Sequence, residues 1–276
     1  MFEGDANADS VVQVASPLAE CAEAHPGEPL IAFNHVGIAF DTRVILSNIS
    51  FSVQRGETLC ILGRSGVGKS VSLRLLMGFL RPDAGTIRIG SSVLNELDED
   101  GLRELRKHVT MVFQNGALFD SMSVRENVAF PLRERGELSE EQVQAKVDEL
   151  IALVGAEDSA EALPSGLSTG RKRAVAIARA LAADPEVVLY DEPTTMVDPL
   201  IARRLGDLIE RLKRERGFTS IVVTHDMRFA RRLADQVLFL DQAHARYFGP
   251  LSGFLASADP TIRQFLELDA YSLPMG

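Results

Sequence analysis

Short apolar runs and helix-period stretches alternate along the chain, and their order predicts a mixed α/β protein. Residues 30–62 alternate apolar and polar positions in short runs broken at Asp41-Thr42 and Arg55-Gly56, the pattern of a β-rich entry. Within that entry, residues 57–62 (ETLCIL) read as a buried strand. Val71, Leu73, Leu75, Leu76, Phe79 and Leu80 then form one apolar helical face that ends at Arg81-Pro82-Asp83. A strand pair is expected around 86–89 and 109–113, with a short amphipathic helix over 97–107 between them and Asp98 as its N-cap.

The middle of the chain changes period. Ser123-Val124-Arg125-Glu126 and Ser139-Glu140-Glu141-Gln142 both fit the reciprocal capping pattern, in which a Ser hydroxyl and an acid or amide three residues on satisfy each other's backbone N–H groups. Each opens an amphipathic stretch, the second closing at Gly155, so residues from about 115 to 185 are expected to be helical. Strands resume at 187–190, 220–223 and 236–240, separated by a helix over 200–215. That alternation predicts a parallel sheet with right-handed crossovers. There is no internal repeat.

Composition narrows the class. With 276 residues and 46% hydrophobic content the chain can bury a large core. No run approaches the roughly 18–20 apolar residues that cross a bilayer, and the N-terminus lacks a secretion signal, so a cytoplasmic location is expected. The two cysteines, Cys21 and Cys60, make neither a disulfide framework nor a four-ligand zinc site. The net charge of −10 is uneven, since Glu3, Asp5, Asp9, Glu20, Glu23 and Glu28 precede the first basic residue, Arg43. Residues 1–29 therefore read as a disordered acidic leader. An acidic chain whose one basic run is Arg171-Lys172-Arg173 is a poor nucleic-acid binder, and no nucleic-acid partner is expected.

The chemistry sits at two strand ends. Gly63, Arg64, Ser65, Gly66, Val67, Gly68, Lys69 and Ser70 fit G-x-x-x-x-G-K-[ST] between a strand and a helix. In that setting backbone N–H groups cradle phosphates, Lys69 reaches the β and γ phosphates and the Ser70 hydroxyl ligates Mg²⁺. Downstream, four apolar residues deliver Asp191 beside the metal, and Glu192 is expected on the other side of the strand end, where it can polarise an attacking water. Together they predict ATP with Mg²⁺ as the cofactors and ATP hydrolysis as the reaction.

In this order the motifs resemble the ATP-binding subunit of an ABC transporter. The resemblance implies an α/β fold in which a P-loop NTPase sheet carries an antiparallel β subdomain and an inserted helical subdomain, the ABC ATPase fold. It places the ATPase domain at 30–240, the helical subdomain at about 115–185 and a C-terminal tail at 241–276. Gln114 matches the Q-loop residue that contacts Mg²⁺ or the attacking water. Residues 167–171 match the signature LSGGQ, whose Ser168 and Gly170 close over ATP bound by the opposite subunit. Asp198 matches the D-loop aspartate, His225 the switch histidine that senses the γ-phosphate, and Phe40 the aromatic that stacks on adenine. The resemblance further implies a homodimer with two ATP molecules at its interface, partnered by integral-membrane permease subunits. Four positions depart from the pattern: Thr169 replaces a glycine, Ala174 the usual arginine, and Met196-Val197 a frequent Gly-Leu.

Residues 118–134, 190–195 and 258–266 are similar to the phospholipid-handling, MlaF-type ATPases of Mce-associated transporters, while 241–248 lack that group's glycine-containing turn. This narrower likeness implies phospholipid transport between the inner membrane and outer envelope, a peripheral position on the inner face of the bacterial inner membrane, and a small regulatory subunit and Mce-type lipid-binding protein as further partners. Two alternatives stay open for function, an importer ATPase for another solute and a nucleotide-binding regulator impaired in hydrolysis. The tail likewise has two, packing on its own domain or contact across the dimer.

Overall fold

The computed structural model describes residues 28–271, so the expectations for the leader before that point and for Cys21 lie outside the described residues. The main sheet contains β3 (Thr58–Leu62), β6 (Val109–Val112), β7 (Val187–Asp191), β8 (Thr219–Val223), β9 (Gln236–Asp241) and β10 (His244–Pro250), in the order β10-β9-β3-β8-β7-β6. Its strands are parallel except β10, which returns antiparallel along β9. A second, antiparallel sheet has the order β2-β1-β4-β5, from β1 (Ile31–Phe40), β2 (Arg43–Val53), β4 (Ala84–Ile89) and β5 (Ser92–Val93).

The continuous apolar runs of the parallel strands exist because both faces are covered. Leu59 and Ile61 of β3 enter one core with Leu189, Ile221 and Leu238, while Cys60 and Leu62 enter the other with Tyr190, Val222 and Phe239. The first core is closed by the antiparallel sheet together with α1 (Lys69–Leu76) and α2 (Glu99–His108). The second is closed by α3 (Val124–Arg135), α4 (Glu140–Val154), α5 (Thr169–Ala182), α6 (Pro199–Arg216), α7 (Met227–Leu233), α8 (Leu251–Leu255) and α9 (Pro260–Tyr271). Cys60 is part of that packing, and burial pushes its thiol up to about 12, so it stays protonated and inert.

Both expected capping boxes form, at Ser123 with Glu126 and at Ser139 with Gln142, and Gly155 ends α4 in a left-handed cap. Asp98 caps α2 by accepting from the Gly101 N–H at 2.8 Å. Buried Asn127 holds the entry to α3, accepting from Phe119 N and donating to the carbonyls of Phe119, Met122 and Ser123.

Two expectations need correction. The helix after the glycine loop stops at Leu76 and does not reach Phe79 and Leu80, because Gly78 turns the chain at φ 65°. Phe79 is half exposed beneath the Arg106 guanidinium. The two strands expected as a pair lie in different sheets, β4 against β1 and β6 against β7. For the segment after 241, the first of the two readings describes this chain: β10 extends the sheet, and α9 packs on its own domain through Ile262 and Phe265, the latter 5.0 Å from the Phe239 ring.

The β9–β10 turn places Gln242 and Ala243 at φ 48° and 66°, a two-residue loop built without the glycine that such backbone favours. Replacing Ala243→Gly removes the Cβ from left-handed backbone and is expected to stabilise the protein by about 1 kcal/mol. Urea unfolding of the two proteins measures this, and a midpoint at or below the parent's contradicts it.

Candidate functional site

The loop between β3 and α1 is shaped by its glycines. Gly68, the N-cap of α1, has φ 103°, and a Cβ there would lie 2.8 Å from Leu46 Cδ2 and 2.9 Å from the Ile45 carbonyl. Only glycine lets the loop close onto β2 at that point. No side chain caps α1, so its first N–H groups face outward as an anion site. Lys69 is buried; its Nζ donates to the Gly63 and Arg64 carbonyls at 2.9 and 3.1 Å and stands 3.5 Å from Glu192 Oε1.

One residue on, Ser70 Oγ donates to Asp191 Oδ1 at 2.8 Å. Burial raises the Asp191 carboxyl above its ordinary range, the Ser70 hydroxyl pulls it back, and the neighbouring Glu192 charge adds to the rise. Glu192 is not set opposite Asp191 by strand alternation, as the sequence suggested. β7 ends at Asp191 and Glu192 turns at φ 47°, which brings one carboxylate to Ser70 and the other to Lys69. The Glu192 carboxylate is then fixed on its Oε2 side, accepting from Thr195 Oγ1 at 3.0 Å and lying 2.8 Å from His225 Nδ1. A left-handed non-glycine residue costs about 1–2 kcal/mol, and Met196, four residues on, adds a second at φ 59° with 91% exposure.

These groups open on a cavity of about 1210 Å³. Arg64, Ser65, Gly66, Gly68, Lys69, Ser70, Gln114, Glu192 and His225 line it, as do Arg43 and Thr195, which the sequence did not single out. Gly63 and Val67 stand behind the wall: Gly63 offers its carbonyl to Lys69, and Val67 packs against the core. Asp191 acts on the cavity through Ser70.

Four candidates lie elsewhere. Phe40 sits half exposed at the tip of the β1–β2 hairpin, outside the cavity wall, although Arg43 and Ile45 across the hairpin belong to it. Ser168 caps α5, its exposed hydroxyl accepting from Arg171 N at 3.4 Å. Gly170 is pressed against α6, where a Cβ would come within 2.2 Å of Ile201 Cγ2. Asp198 caps α6, accepting from Leu200 N at 2.8 Å. The Arg171 guanidinium is bidentate to Asp158, with both bonds at 2.8 Å, so it is held back from the start of α5.

The family described as ABC transporter matches residues 46–195. The methionine import ATP-binding protein MetN 2 of Paraburkholderia xenovorans (strain LB400) is 37% identical over 252 residues, 89% of this chain and 65% of that protein. The probable ribonucleotide transport ATP-binding protein mkl of Mycobacterium tuberculosis (strain ATCC 25618 / H37Rv) is 36% identical over 245 residues, 89% of this chain and 68% of that protein. The chain thus spans about two thirds of the length of these curated relatives. Among solved structures, the ATP-binding cassette MJ0796, a dimer in a post-hydrolysis state bound to ADP and Pi, superposes with a TM-score of 0.73 at 31% identity, over 80% of this chain and 98% of that one. CbiO1 from Clostridium perfringens, part of the ABC transporter complex cbiONQ, gives 0.77 at 27% identity, over 89% and 97%.

The raised Asp191 carboxyl has a consequence for stability. Above its ordinary value of 3.8 and up to its raised value the folded protein holds the extra proton, so stability falls as pH rises through that window. Asp191→Asn, which does not titrate, is therefore expected to be more thermostable than the parent at pH 7, with the gap closing as pH falls toward 4. Thermal midpoints across that range check it; a gap of constant size would contradict the assignment.

Proposed function

The chain belongs to the ABC transporter family, and from that premise we propose that it is the ATP-hydrolysing subunit of a transporter that energises integral-membrane permease subunits, with phospholipid as the transported class. The hydrolysis reading rests on the paired contacts at the loop, Ser70 Oγ to Asp191 at 2.8 Å and Lys69 Nζ to Glu192 at 3.5 Å. Magnesium ATP, when bound, supplies the phosphoanhydride bond and a divalent charge that offsets its phosphates. The residues suit it: two hard oxygen donors face each other at Ser70 and Asp191, and space is open at Gly66, where a Cβ would meet nothing within 4 Å.

The loop amides and Lys69 hold the phosphates, and Ser70, Asp191 and Gln114 hold the metal. Glu192 polarises water, its carboxylate oriented by Thr195 and His225. His225 senses the γ-phosphate, and Phe40 offers a platform for adenine. Ser168, Gly170 and Asp198 lie outside this chain's own cavity, which supports a homodimer in which they close over the nucleotide of the other copy. Such a site works by positioning and charge rather than covalent chemistry.

No helix among the described residues is long and apolar enough to cross a membrane, in keeping with a peripheral subunit on the inner face of a bacterial inner membrane. The phospholipid reading draws on the likeness of residues 118–134, 190–195 and 258–266 to MlaF-type ATPases, and brings an Mce-type lipid-binding protein and a small regulatory subunit as partners. A second reading, an importer of another solute, is favoured by the curated relatives, which are named for methionine and ribonucleotide transport.

Glu192→Gln is expected to retain nucleotide binding while lowering turnover about 10²- to 10³-fold. Phosphate release beside titration with a fluorescent ATP analogue measures both, and parental turnover removes Glu192 from the mechanism. Co-purification with the permease followed by mass spectrometry of bound small molecules separates the substrate readings: phospholipid supports the first, and methionine or a nucleotide the second.

A further inference from the structure

Helix α5 begins at the surface with Ser168 and runs inward, and its first arginine to be buried is Arg173, 5% exposed. Its Nη1 donates to the Glu192 carbonyl at 3.4 Å and its Nη2 to the Thr195 carbonyl at 3.2 Å. No carboxylate among the described residues pairs with it, and burial lowers its ionisation below the ordinary arginine range. A guanidinium stripped of water and given only two carbonyls is a poor stabilising device, and an apolar side chain would fill the same volume more cheaply. The position is informative too, since Ala174 follows it and offers no guanidinium of its own.

What the guanidinium grips is the segment that aims the Glu192 carboxylate. Glu192 and Met196 both lie in left-handed backbone, at φ 47° and 59°. Such backbone persists only where its surroundings over-determine it. Glu192 N is tied to Val223 O at 2.9 Å and Thr195 N to Glu192 O at 3.2 Å, but both of these bonds lie within the sheet edge and the turn itself. Arg173 brings in a clamp from a separate helix, and it holds the turn by the residue that carries the carboxylate and the residue whose hydroxyl orients it.

We propose that Arg173 is a positioning residue for Glu192: by holding the carbonyls of Glu192 and Thr195 it fixes the turn that points the Glu192 carboxylate at Lys69 and His225. The proposal rests on the reading of Glu192 as the water-polarising group. It also ties the beginning of α5, which opens at the surface with Ser168, to the turn beside the loop of the same chain. Arg179, further along α5, makes a similar grip on the Gly116 and Ala117 carbonyls just after Gln114.

The test uses the full chain with Arg173→Met, which keeps an apolar stem, and Arg173→Lys, which restores one donor. Steady-state ATP hydrolysis and amide hydrogen exchange over residues 193–197 are read for each. The Met variant is expected to lose kcat about tenfold with KM within about twofold, since the phosphate loop is untouched, and to exchange the turn amides faster. The Lys variant is expected to lie between Met and parent in both readouts, at about a threefold loss of kcat. A raised KM with unchanged kcat, a loss of kcat without faster exchange, or a Lys variant no better than Met overturns the proposal. Should the Met variant fail to fold, the Lys variant decides alone, and parental values in both readouts overturn it. Exchange is measured without turnover, so it judges Arg173 even if Glu192→Gln hydrolyses normally and the catalytic reading falls.

Discussion

Strands that are apolar on both faces leave polar chemistry nowhere to go but their ends. In this sheet β3, β6, β7 and β8 run parallel, so their carboxyl ends share one edge, and Gly63, Gln114, Glu192 and His225 all follow those ends within two residues. The site is thus a by-product of the sheet's direction, since reversing one strand would carry its terminal residue to the opposite edge. Registers such as Asp191 opposite Val223 and Ile61 opposite Val223 hold the loops level with one another.

Much of this was legible because its signals are local. A buried run followed by glycines and Lys-Ser marks a strand, a phosphate-shaped turn and a helix, and Ser-x-x-Glu and Ser-x-x-Gln mark helix starts with a stated hydrogen-bond pattern. What could not be read depends on distant partners or on backbone that side chains do not announce. The pairing of β4 with β1 spans some fifty residues, and nothing near β4 names its neighbour. The left-handed turn at Glu192 has no glycine to advertise it. Arg173 sits in a basic run that carries no sign of burial in the sequence, and only packing against a loop nineteen residues away gives it an acceptor. Gly78 did carry a signal: a glycine after an apolar helical face is a stop, and the apolar Phe79 and Leu80 beyond it masked that.

The departures from the family pattern also acquire physical content. Thr169 opens α5 at an exposed position, where a hydroxyl is well solvated. Met196 occupies backbone suited to glycine and projects almost wholly into solvent, so the chain keeps an apolar side chain at the surface at a conformational cost. Arg171, part of the basic run in the sequence, is in the fold half of a two-pronged pair with Asp158.

Helix α9 takes part in the same enclosure as the loop between β3 and α1. Gln264 of α9 accepts a hydrogen bond from Arg64 at 2.9 Å, and Phe265 and Leu268 complete one wall of the chamber. A protein trimmed before Pro260 would therefore be missing masonry as well as a helix, with Phe239 stripped of a ring neighbour and the loop's arginine set loose. Helix α9 has to be counted as part of the unit that encloses the cavity when its boundaries are drawn for expression.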